Sequence, residues 1–358
     1  MNAEHASHSG GKPPWIRVSI GQNDTFNATK NRLRAYGLHT VCEEAFCPNL
    51  GRCWKHGRAT IMLLGDRCTR GCRFCNVDKQ RVLPPDPDEP ARVAAAVKET
   101  GLKEVVLTSV TRDDLPDGGA AHWAQTIEAV RAAVPGILIE VLVPDFNGDP
   151  DDIATVVRAR PDIFGHNLET VPRLYPQARP QADYAQSLAV LRQAADADMI
   201  TKTSLMLGLG ETSAEIEQTL RDARDAGCDI FYAGQYLQPS PRHLPVERYV
   251  EPAEFDRLRE TALALGFGYV ASAPLVRSSY HEDGQTEFVR SRAGGRADLG
   301  FGIWIDRGHC GCCGSYGMGG GPCSRAGCPC HTARSTGRIG SPKNLRGYPR
   351  NRARIIRG

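Results

Sequence analysis

The stretch TIMLLGDRCTRGCRFCNVDK, residues 60–79, joins a short apolar run to a loop that contains three cysteines. The apolar run has the composition of a buried strand. Cys68, Cys72 and Cys75 follow it with spacings of three and two residues, and no fourth cysteine comes soon after them. The stretch therefore raises two questions: which sheet contains the strand, and what three thiols without a nearby fourth can bind.

Helix-like and strand-like segments alternate downstream of this loop. Strands are predicted at 104–110, 137–146, 162–170, 200–210, 228–238 and 268–276, and helices at 89–100, 120–134, 149–159, 183–196, 212–227 and 251–266. The strands are continuously apolar, which favours a parallel sheet covered by helices. Polar residues follow several predicted strands, at the edge where such sheets bind ligands. An open doubly wound sheet and a full or partial barrel both fit this pattern.

The composition limits the class of protein. The chain has 358 residues, enough to bury a substantial core without disulfides. It lacks a run of about 18 apolar residues, and its first residues lack the apolar core of a signal peptide, so we expect a cytoplasmic protein and no membrane partner. In a reducing compartment, clustered cysteines bind metal more often than they form disulfides.

The positive net charge comes from the C-terminal tail alone. Residues 291–358 contain 12 Lys and Arg against 2 Asp and Glu, whereas the first 290 residues contain 32 basic and 39 acidic residues. Nucleic-acid binding depends on a positively charged surface, and the first 290 residues carry a net negative charge, so we expect no nucleic-acid partner. The tail is rich in Gly, Arg, Cys and Pro without periodicity, and we expect it to be disordered.

Several kinds of metal site could use the three thiols of the first triplet. A structural zinc site and a ferredoxin-type cluster both require four ligands. Three thiolates that hold a four-iron cluster leave one iron open, and an open metal position can bind a substrate or a cofactor. Three cysteines in a loop that follows the first strand of a βα series resemble the radical S-adenosylmethionine superfamily, in which the open iron binds S-adenosylmethionine.

A second cysteine triplet sharpens the resemblance. HTVCEEAFCPNLGRCW, residues 39–54, has three cysteines at spacings of four and five, and RSSY stands at 277–280. Together with NLETVPRLYP, LMLGLGET and GQYLQPSPRHLPVERYV, these motifs resemble the lipoyl synthase family from about Lys12 to Tyr280. The resemblance implies an α/β fold, a partial (β/α)6 TIM-like barrel with N-terminal and C-terminal extensions.

The resemblance also implies the reaction and the metal ligands. In the family, two sulfur atoms are inserted at C6 and C8 of an octanoyl chain on a carrier lysine, with two S-adenosylmethionine molecules and sulfide from an auxiliary [4Fe-4S] cluster. The unactivated methylene groups have no acidic proton, so a radical is needed and no catalytic side chain beyond the clusters is expected. The implied ligands are Cys68, Cys72 and Cys75 for one cluster, and Cys42, Cys47, Cys53 and Ser279 for the auxiliary cluster.

Other residues are candidates for binding S-adenosylmethionine. Asp117, Gly118 and Gly119 follow a predicted strand where radical enzymes of this type hold the amino group of the cofactor, although a plain turn explains them equally. Asn167, Glu169 and Arg173 follow another predicted strand and are candidates for contacts with the ribose or carboxylate. We expect His166, His243 and Cys228 to be structural residues.

The resemblance implies protein partners and a domain plan. The partners are octanoylated carrier domains of 2-oxoacid dehydrogenase E2 subunits and the glycine cleavage H protein, an electron donor such as ferredoxin or flavodoxin, and an iron–sulfur carrier. The plan has four parts: an extension with the auxiliary cluster (1–55), the barrel (56–276), a C-terminal segment with RSSY (277–290) and the tail (291–358). The first 30 residues are predicted to be loosely ordered.

Two alternatives remain at this stage. One is another radical enzyme that inserts sulfur, similar to biotin synthase, although the second triplet and RSSY argue against it. The other is a non-catalytic iron–sulfur or zinc module whose basic tail binds nucleic acid. The chain also departs from the family pattern, because Glu282 stands where alanine is usual and the chain continues well beyond RSSY. Both departures bear on how the C-terminal segment closes over Ser279.

Overall fold

The computed structural model describes residues 11–16, 24–45, 47–55, 60–102, 104–280 and 282–297. The predicted tail lies outside the described residues from 298 onward. Within the described residues, no helix combines the length and the apolar character needed to cross a membrane.

One sheet of eight strands forms the centre of the described part of the chain, with the strands side by side in chain order. The first strand is antiparallel to the second, and every later pair is parallel. The strands are β1 (His39–Thr40), β2 (Thr60–Leu63), β3 (Glu104–Ser109), β4 (Leu138–Leu142), β5 (Ile163–Gly165), β6 (Ile200–Leu207), β7 (Ile230–Gln235) and β8 (Tyr269–Ser272). The two edge strands are not joined, which confirms a partial barrel.

Helices connect the parallel strands and cover the sheet. The helices are α1 (Asp24–Ala35), α2 (Val41–Glu44), α3 (Leu50–Lys55), α4 (Glu89–Thr100), α5 (Ala120–Ala133), α6 (Pro150–Arg158), α7 (Tyr175–Ala178), α8 (Tyr184–Asp196), α9 (Ser213–Asp225), α10 (Pro252–Ala264) and α11 (Asp283–Ala297). Short 3-10 turns lie at Pro14–Ile16, Phe146–Gly148 and Pro172–Leu174. The buried faces of the helices carry apolar side chains such as Val93, Trp123 and Ile127, so their burial holds the helices on the sheet. The predicted capping box of α9, Thr212 with Glu215, is confirmed.

Several strands end earlier than their apolar sequence suggests. The strand predicted at 162–170 is regular only to Gly165, and Glu169 has a left-handed backbone with a φ of 67°. Only an isolated bridge, from Glu169 to Leu205, continues the pairing. The chain therefore leaves the sheet early, and the polar residues after β5 lie in loops at the carboxyl edge.

The expectation of a loosely ordered N-terminus is wrong for residues 24–30, which belong to α1. Phe26 and Leu33 are buried on one face of this helix, and the Phe26 ring lies 5.2 Å from the ring of Trp54. The prediction failed because the helix has few apolar residues. Its stability comes from the apolar partner on α3, which lies more than twenty residues away.

The last helix, α11, is fixed to the sheet by buried polar side chains. Lys202 Nζ donates to Glu140 Oε1 at 2.7 Å and to Gln285 Oε1 at 2.8 Å, and Gln285 Nε2 donates to Glu140 Oε2 at 2.7 Å. The Tyr269 hydroxyl donates to Glu282, so the residue that departs from the family pattern has a partner. The helix begins shortly after RSSY and crosses the predicted domain boundary at 290.

We expect Lys202→Met to destabilise the protein by about 3–5 kcal/mol, because it removes the ammonium group that pairs with the buried Glu140 carboxylate. Combining it with Glu140→Leu should recover most of the loss, since a buried ion pair replaced by apolar side chains is often neutral. Urea unfolding measures both variants. The matched control is Arg221→Met, which breaks an exposed pair with Glu217 and should cost under about 1 kcal/mol. Equal losses for Lys202→Met and Arg221→Met would contradict the prediction.

Candidate active site with two cysteine triplets

The first triplet, Cys68, Cys72 and Cys75, lies in the loop between β2 and α4, beyond the carboxyl end of β2. The three side chains are half-buried. Burial raises the pKa of the Cys72 thiol and raises the pKa of Cys75 to about 12. Thiols with raised pKa values become thiolates when a metal centre takes up their charge. The triplet is therefore suited to bind metal rather than to act as a free nucleophile.

The donor set fits an iron–sulfur cluster. Among the described residues, no three His, Cys, Asp or Glu side chains converge closely enough to hold a single metal ion. A zinc ion would bring its thiolates within about 4 Å of each other, because each Zn–S bond is about 2.3 Å long. An iron–sulfur cluster is larger and binds thiolates at different irons, so its ligands need not converge on one point. Three soft thiols in one loop match such a cluster.

Arg70, between the first two cysteines of the loop, fixes the loop to the ends of two strands. Its guanidinium forms two hydrogen bonds with Asp113 at 2.8 and 2.9 Å. It also donates to Asp145 Oδ2 and to Asn147 Oδ1, both at 2.7 Å. Burial alone would raise the pKa of Asp145, but the hydrogen bond and charge of Arg70 outweigh burial and lower it. The cysteine loop is therefore held by a buried cation with two anionic partners.

Later parts of the chain hold the other side of the loop. Gly71 N donates to Gln181 Oε1 at 2.6 Å. One ring nitrogen of His243, Nε2, lies 3.1 Å from the carbonyl oxygen of Cys75, and the other lies 2.9 Å from the Ser240 hydroxyl. This arrangement confirms His243 as a hydrogen-bonded structural residue. The loop is thus fixed by segments that follow β3, β4, β5 and β7.

Two residues of opposite charge, Arg179 and Glu169, lie near Cys72. Arg179 Nη1 donates to the carbonyl oxygen of Asn167 at 3.0 Å and to the Tyr175 hydroxyl at 3.2 Å. Asn167 Nδ2 donates to Glu169 Oε1 at 3.0 Å. Burial raises the pKa of Glu169, and the charge of Arg179 opposes this increase. The structure therefore brings two predicted cofactor residues, Asn167 and Glu169, close to the first triplet through Arg179.

Polar atoms without protein partners are concentrated in this region. Among the described residues, four such buried atoms lie on the segment after β5: His166 Nε2, Asn167 Oδ1, Thr170 Oγ1 and Arg179 Nε. Burial lowers the pKa of His166 to about 4, so its ring is neutral at pH 7, and Nδ1 lies 2.9 Å from the carbonyl oxygen of Val143. Buried polar atoms without partners are unfavourable. These four atoms include hydrogen-bond donors and acceptors, which fit a ligand with amino, carboxylate and hydroxyl groups such as S-adenosylmethionine.

The other predicted cofactor residues have partners within the protein. Asp117 caps α5, because its two carboxylate oxygens accept from Gly119 N and Ala121 N at 2.9 Å. Gly118 and Gly119 both have left-handed backbones, and a Cβ at Gly119 would lie 2.5 Å from Leu64 Cδ1. The turn therefore requires these glycines whether or not a cofactor binds there.

Arg173 lies on the protein surface. Its guanidinium pairs with the Glu215 carboxylate at 2.6 and 3.0 Å and donates to the carbonyl oxygen of Gly210 at 2.8 Å. These contacts fix the entry to α9. A role for Arg173 in binding the cofactor stays a prediction.

The second triplet shares one cavity with the C-terminal segment. Cys42 lies on α2, Cys47 follows that helix and Cys53 lies on α3. All three line a cavity of about 470 Å³, open volume included, together with Ser279 and Arg277. Thr60 and Glu104, at the amino ends of β2 and β3, form part of its wall. The two triplets therefore lie towards opposite ends of β2.

Burial dominates the protonation of the second triplet. It raises the pKa of Cys42 to about 12, with the neighbouring thiols adding to the increase. Burial also raises the pKa of Cys47, and the nearby Arg277 charge opposes that rise. Three thiols and one hydroxyl around a single cavity fit a four-iron cluster with four ligands.

The segment 273–280, which we call the strap, carries Ser279 and is held in place from two sides. Asn49 Nδ2, from the loop of the second triplet, donates to the carbonyl oxygen of Leu275 at 2.6 Å. On the other side the strap lies against β7 at Gly234, where a Cβ would lie 1.9 Å from the carbonyl oxygen of Val276. The close approach explains the glycine, since any other residue would displace the strap.

Sequence reasoning missed four residues that act in these sites: Arg70, Asn49, Arg179 and Arg277. Arg70 and Asn49 lie within the two cysteine motifs, and Arg277 is the arginine of RSSY. A charged or amide side chain inside a metal-binding loop is a usable signal, because such a loop must itself be held in place. Arg179 lies in no motif, and only the fold brings it to Cys72.

We expect Arg70→Met to destabilise the metal-free protein by about 3–5 kcal/mol, because it strands the buried Asp145 carboxylate. The stability of Arg70→Lys should lie between those of the parent protein and Arg70→Met, because an ammonium group lacks the planar fork that bonds several acceptors. The control is Arg173→Met, which removes an exposed ion pair with Glu215 and should cost far less stability than Arg70→Met. Urea unfolding compares the three variants, and a loss for Arg70→Met no larger than the control would contradict the assignment.

Comparisons with known proteins agree with the geometry. The model of the radical SAM superfamily matches residues 62–223. A lipoyl synthase from Rubrobacter xylanophilus is 53% identical over 285 residues, which are 79% of this chain and 89% of that protein. A lipoyl synthase from Methylococcus capsulatus is 55% identical over 281 residues, 78% of this chain and 87% of that protein.

Solved structures give weaker matches. Methylornithine synthase aligns with a TM-score of 0.46 and 14% identity, over 77% of this chain and 94% of that chain. The family assignment therefore comes from sequence identity over more than three quarters of the chain. The chain belongs to the lipoyl synthase family of radical S-adenosylmethionine enzymes.

Proposed function

We propose that this sulfur-inserting enzyme divides its reaction between the two ends of the barrel. Cys68, Cys72 and Cys75 hold the cluster that binds S-adenosylmethionine. Cys42, Cys47, Cys53 and Ser279 hold the auxiliary cluster. The observation that carries this division is that Ser279 lines the same cavity as the second triplet, while the first triplet lies beyond the other end of β2.

The residues of the chain hold and orient the reactants. When bound, the two [4Fe-4S] clusters and S-adenosylmethionine supply the electron, the radical and the sulfur atoms. Asn167, Glu169 and Arg179 offer polar groups to S-adenosylmethionine beside Cys72. Asp117, Gly118, Gly119 and Arg173 are further candidates for these contacts, with Asp117 acting through the backbone turn that it caps.

The choice of ligands suits a cluster that gives up sulfide. A serine oxygen is a hard ligand among soft thiolates and is exchanged more readily at iron. Ser279 lies on the strap rather than on a strand or helix. A ligand on a connecting segment can leave without unfolding the sheet, which fits a cluster that is consumed during the reaction.

The substrate is an octanoyl chain on a lysine of a lipoyl carrier domain, as in 2-oxoacid dehydrogenase E2 subunits and the glycine cleavage H protein. An acyl chain inside the concave face of the sheet would have one triplet at each end. A low-potential electron donor such as ferredoxin or flavodoxin would serve the first cluster. An iron–sulfur carrier would rebuild the second cluster.

The test is an anaerobic assay of the full chain with both clusters loaded, S-adenosylmethionine, a strong reductant and an octanoyl-lysyl peptide. Mass spectrometry should show two sulfur atoms in place of two hydrogen atoms. Formation of 5′-deoxyadenosine without any change in octanoyl-peptide mass would contradict sulfur insertion.

We expect Ser279→Ala to lose most of the doubly sulfurated product while 5′-deoxyadenosine formation continues, because the variant removes only the auxiliary ligand. The control is Ser278→Ala, since Ser278 is the neighbouring serine and does not line the cavity. Ser278→Ala should retain activity within about two-fold, because it removes only a small polar group outside the cavity. Equal loss in both variants would argue against Ser279 as a ligand. Mössbauer spectra of the two variants then show whether one iron has changed its ligand.

A further inference from the structure

We propose that Arg277 is the counter-charge of the auxiliary cluster and holds the reduction potential of that cluster up. This inference rests on the proposed function, which places the cluster among Cys42, Cys47 and Cys53. It goes beyond that function because it assigns a role to a side chain that is not a ligand.

The first observation is the position of the guanidinium. Arg277 lines the cavity that the second triplet and Ser279 also line. A cation at this point faces the group that three thiolates would bind.

The second observation is that Arg277 has only neutral partners. Its Nη1 donates to the carbonyl oxygens of Val276 at 2.7 Å and Pro274 at 3.4 Å. Among the described residues, its guanidinium has no carboxylate partner within 4.0 Å, whereas Arg70, which is more fully buried, has two. The one carboxylate in the cavity wall, Glu104, accepts a hydrogen bond from the Thr286 hydroxyl at 2.8 Å.

A partly desolvated cation without an anionic partner is unfavourable, and filling the cavity with a neutral group would increase this desolvation cost. An anionic cluster makes the contribution of Arg277 to stability favourable, because the opposite charges then attract at short range in a medium of low polarity. Hydrogen bonds and positive charge near a cluster favour its reduced form. The same side chain therefore destabilises the metal-free protein and stabilises the loaded protein.

The guanidinium is also fixed in position. Its Nη1 lies 3.1 Å from the place that a Cβ would take on Gly234, so the missing side chain of β7 makes room for it. Asn49 holds the strap from the opposite side through Leu275. Because both contacts fix the strap, Arg277 cannot easily turn to solvent when the cavity is filled.

The experiment uses the full chain with Cys68, Cys72 and Cys75 changed to alanine, so that only the auxiliary cluster can form. Arg277→Met, Arg277→Lys and the control Arg158→Met, an exposed arginine on α6, are made in this background. Three quantities are measured: the melting temperature without metal, the rate of iron loss to a chelator, and the midpoint potential of the cluster.

We expect metal-free Arg277→Met to melt at or above the temperature of the parent. Once loaded, it should lose iron on the order of ten-fold faster, as expected from one charge-assisted hydrogen bond. Its midpoint potential should be lower than that of the parent. Arg277→Lys should keep a potential close to the parent value, and Arg158→Met should match the parent in all three measurements.

Two results would overturn the inference, and they are distinguishable. If the parent background binds no four-iron cluster, the assignment of the auxiliary site fails and the inference fails with it. If the cluster forms but Arg277→Met lowers the melting temperature of the metal-free protein and leaves the midpoint potential unchanged, Arg277 is only a structural residue of the strap. The proposed function would then stand without it.

Discussion

The guanidinium of Arg70 ties the first cysteine loop to the carboxyl ends of two strands through Asp113, Asp145 and Asn147. The loop has little regular structure of its own, so this fork fixes its thiols together with the contacts of Gln181 and His243 on the other side. Parallel strands make the fork possible, because they end at one edge and bring residues from successive loops together. The contacts with S-adenosylmethionine that we propose beside Cys72 depend on the same edge.

The auxiliary site uses a different principle. Its proposed ligands come from residues 42–53 and from the strap, which line one cavity at the amino ends of β2 and β3. Asn49 joins the N-terminal triplet to the strap, and the strap lies on β7 at Gly234. The helix that follows is held by Lys202, Glu140 and Gln285 inside the sheet. The segments on both sides of Ser279 are therefore packed against the sheet, even though the chain departs from the family pattern at Glu282.

The two sites treat their arginines differently. Arg70 is fully paired within the protein, so its charge contributes to folding whether or not metal is bound. Among the described residues Arg277 has only carbonyl partners, and on our proposal its charge gains an anionic partner when the cavity binds a cluster. Such a difference separates a residue that holds a loop from a residue that adjusts a metal centre. It also suggests why RSSY contains an arginine as well as a ligand.

The sequence alone determined what is local: the two triplets and their spacing, the alternation of strands and helices, and the capping box of α9. These features depend on residues a few positions apart, where chain geometry fixes the outcome. Only the tertiary structure decided that Arg173 pairs with Glu215, that Arg179 reaches Cys72, and that Asn49 binds the carbonyl of Leu275. Such partners lie far apart in sequence, and no local pattern records them. Their contacts exist because packing of the whole sheet brings distant loops to one edge, and residues 42–53 and the strap to the other.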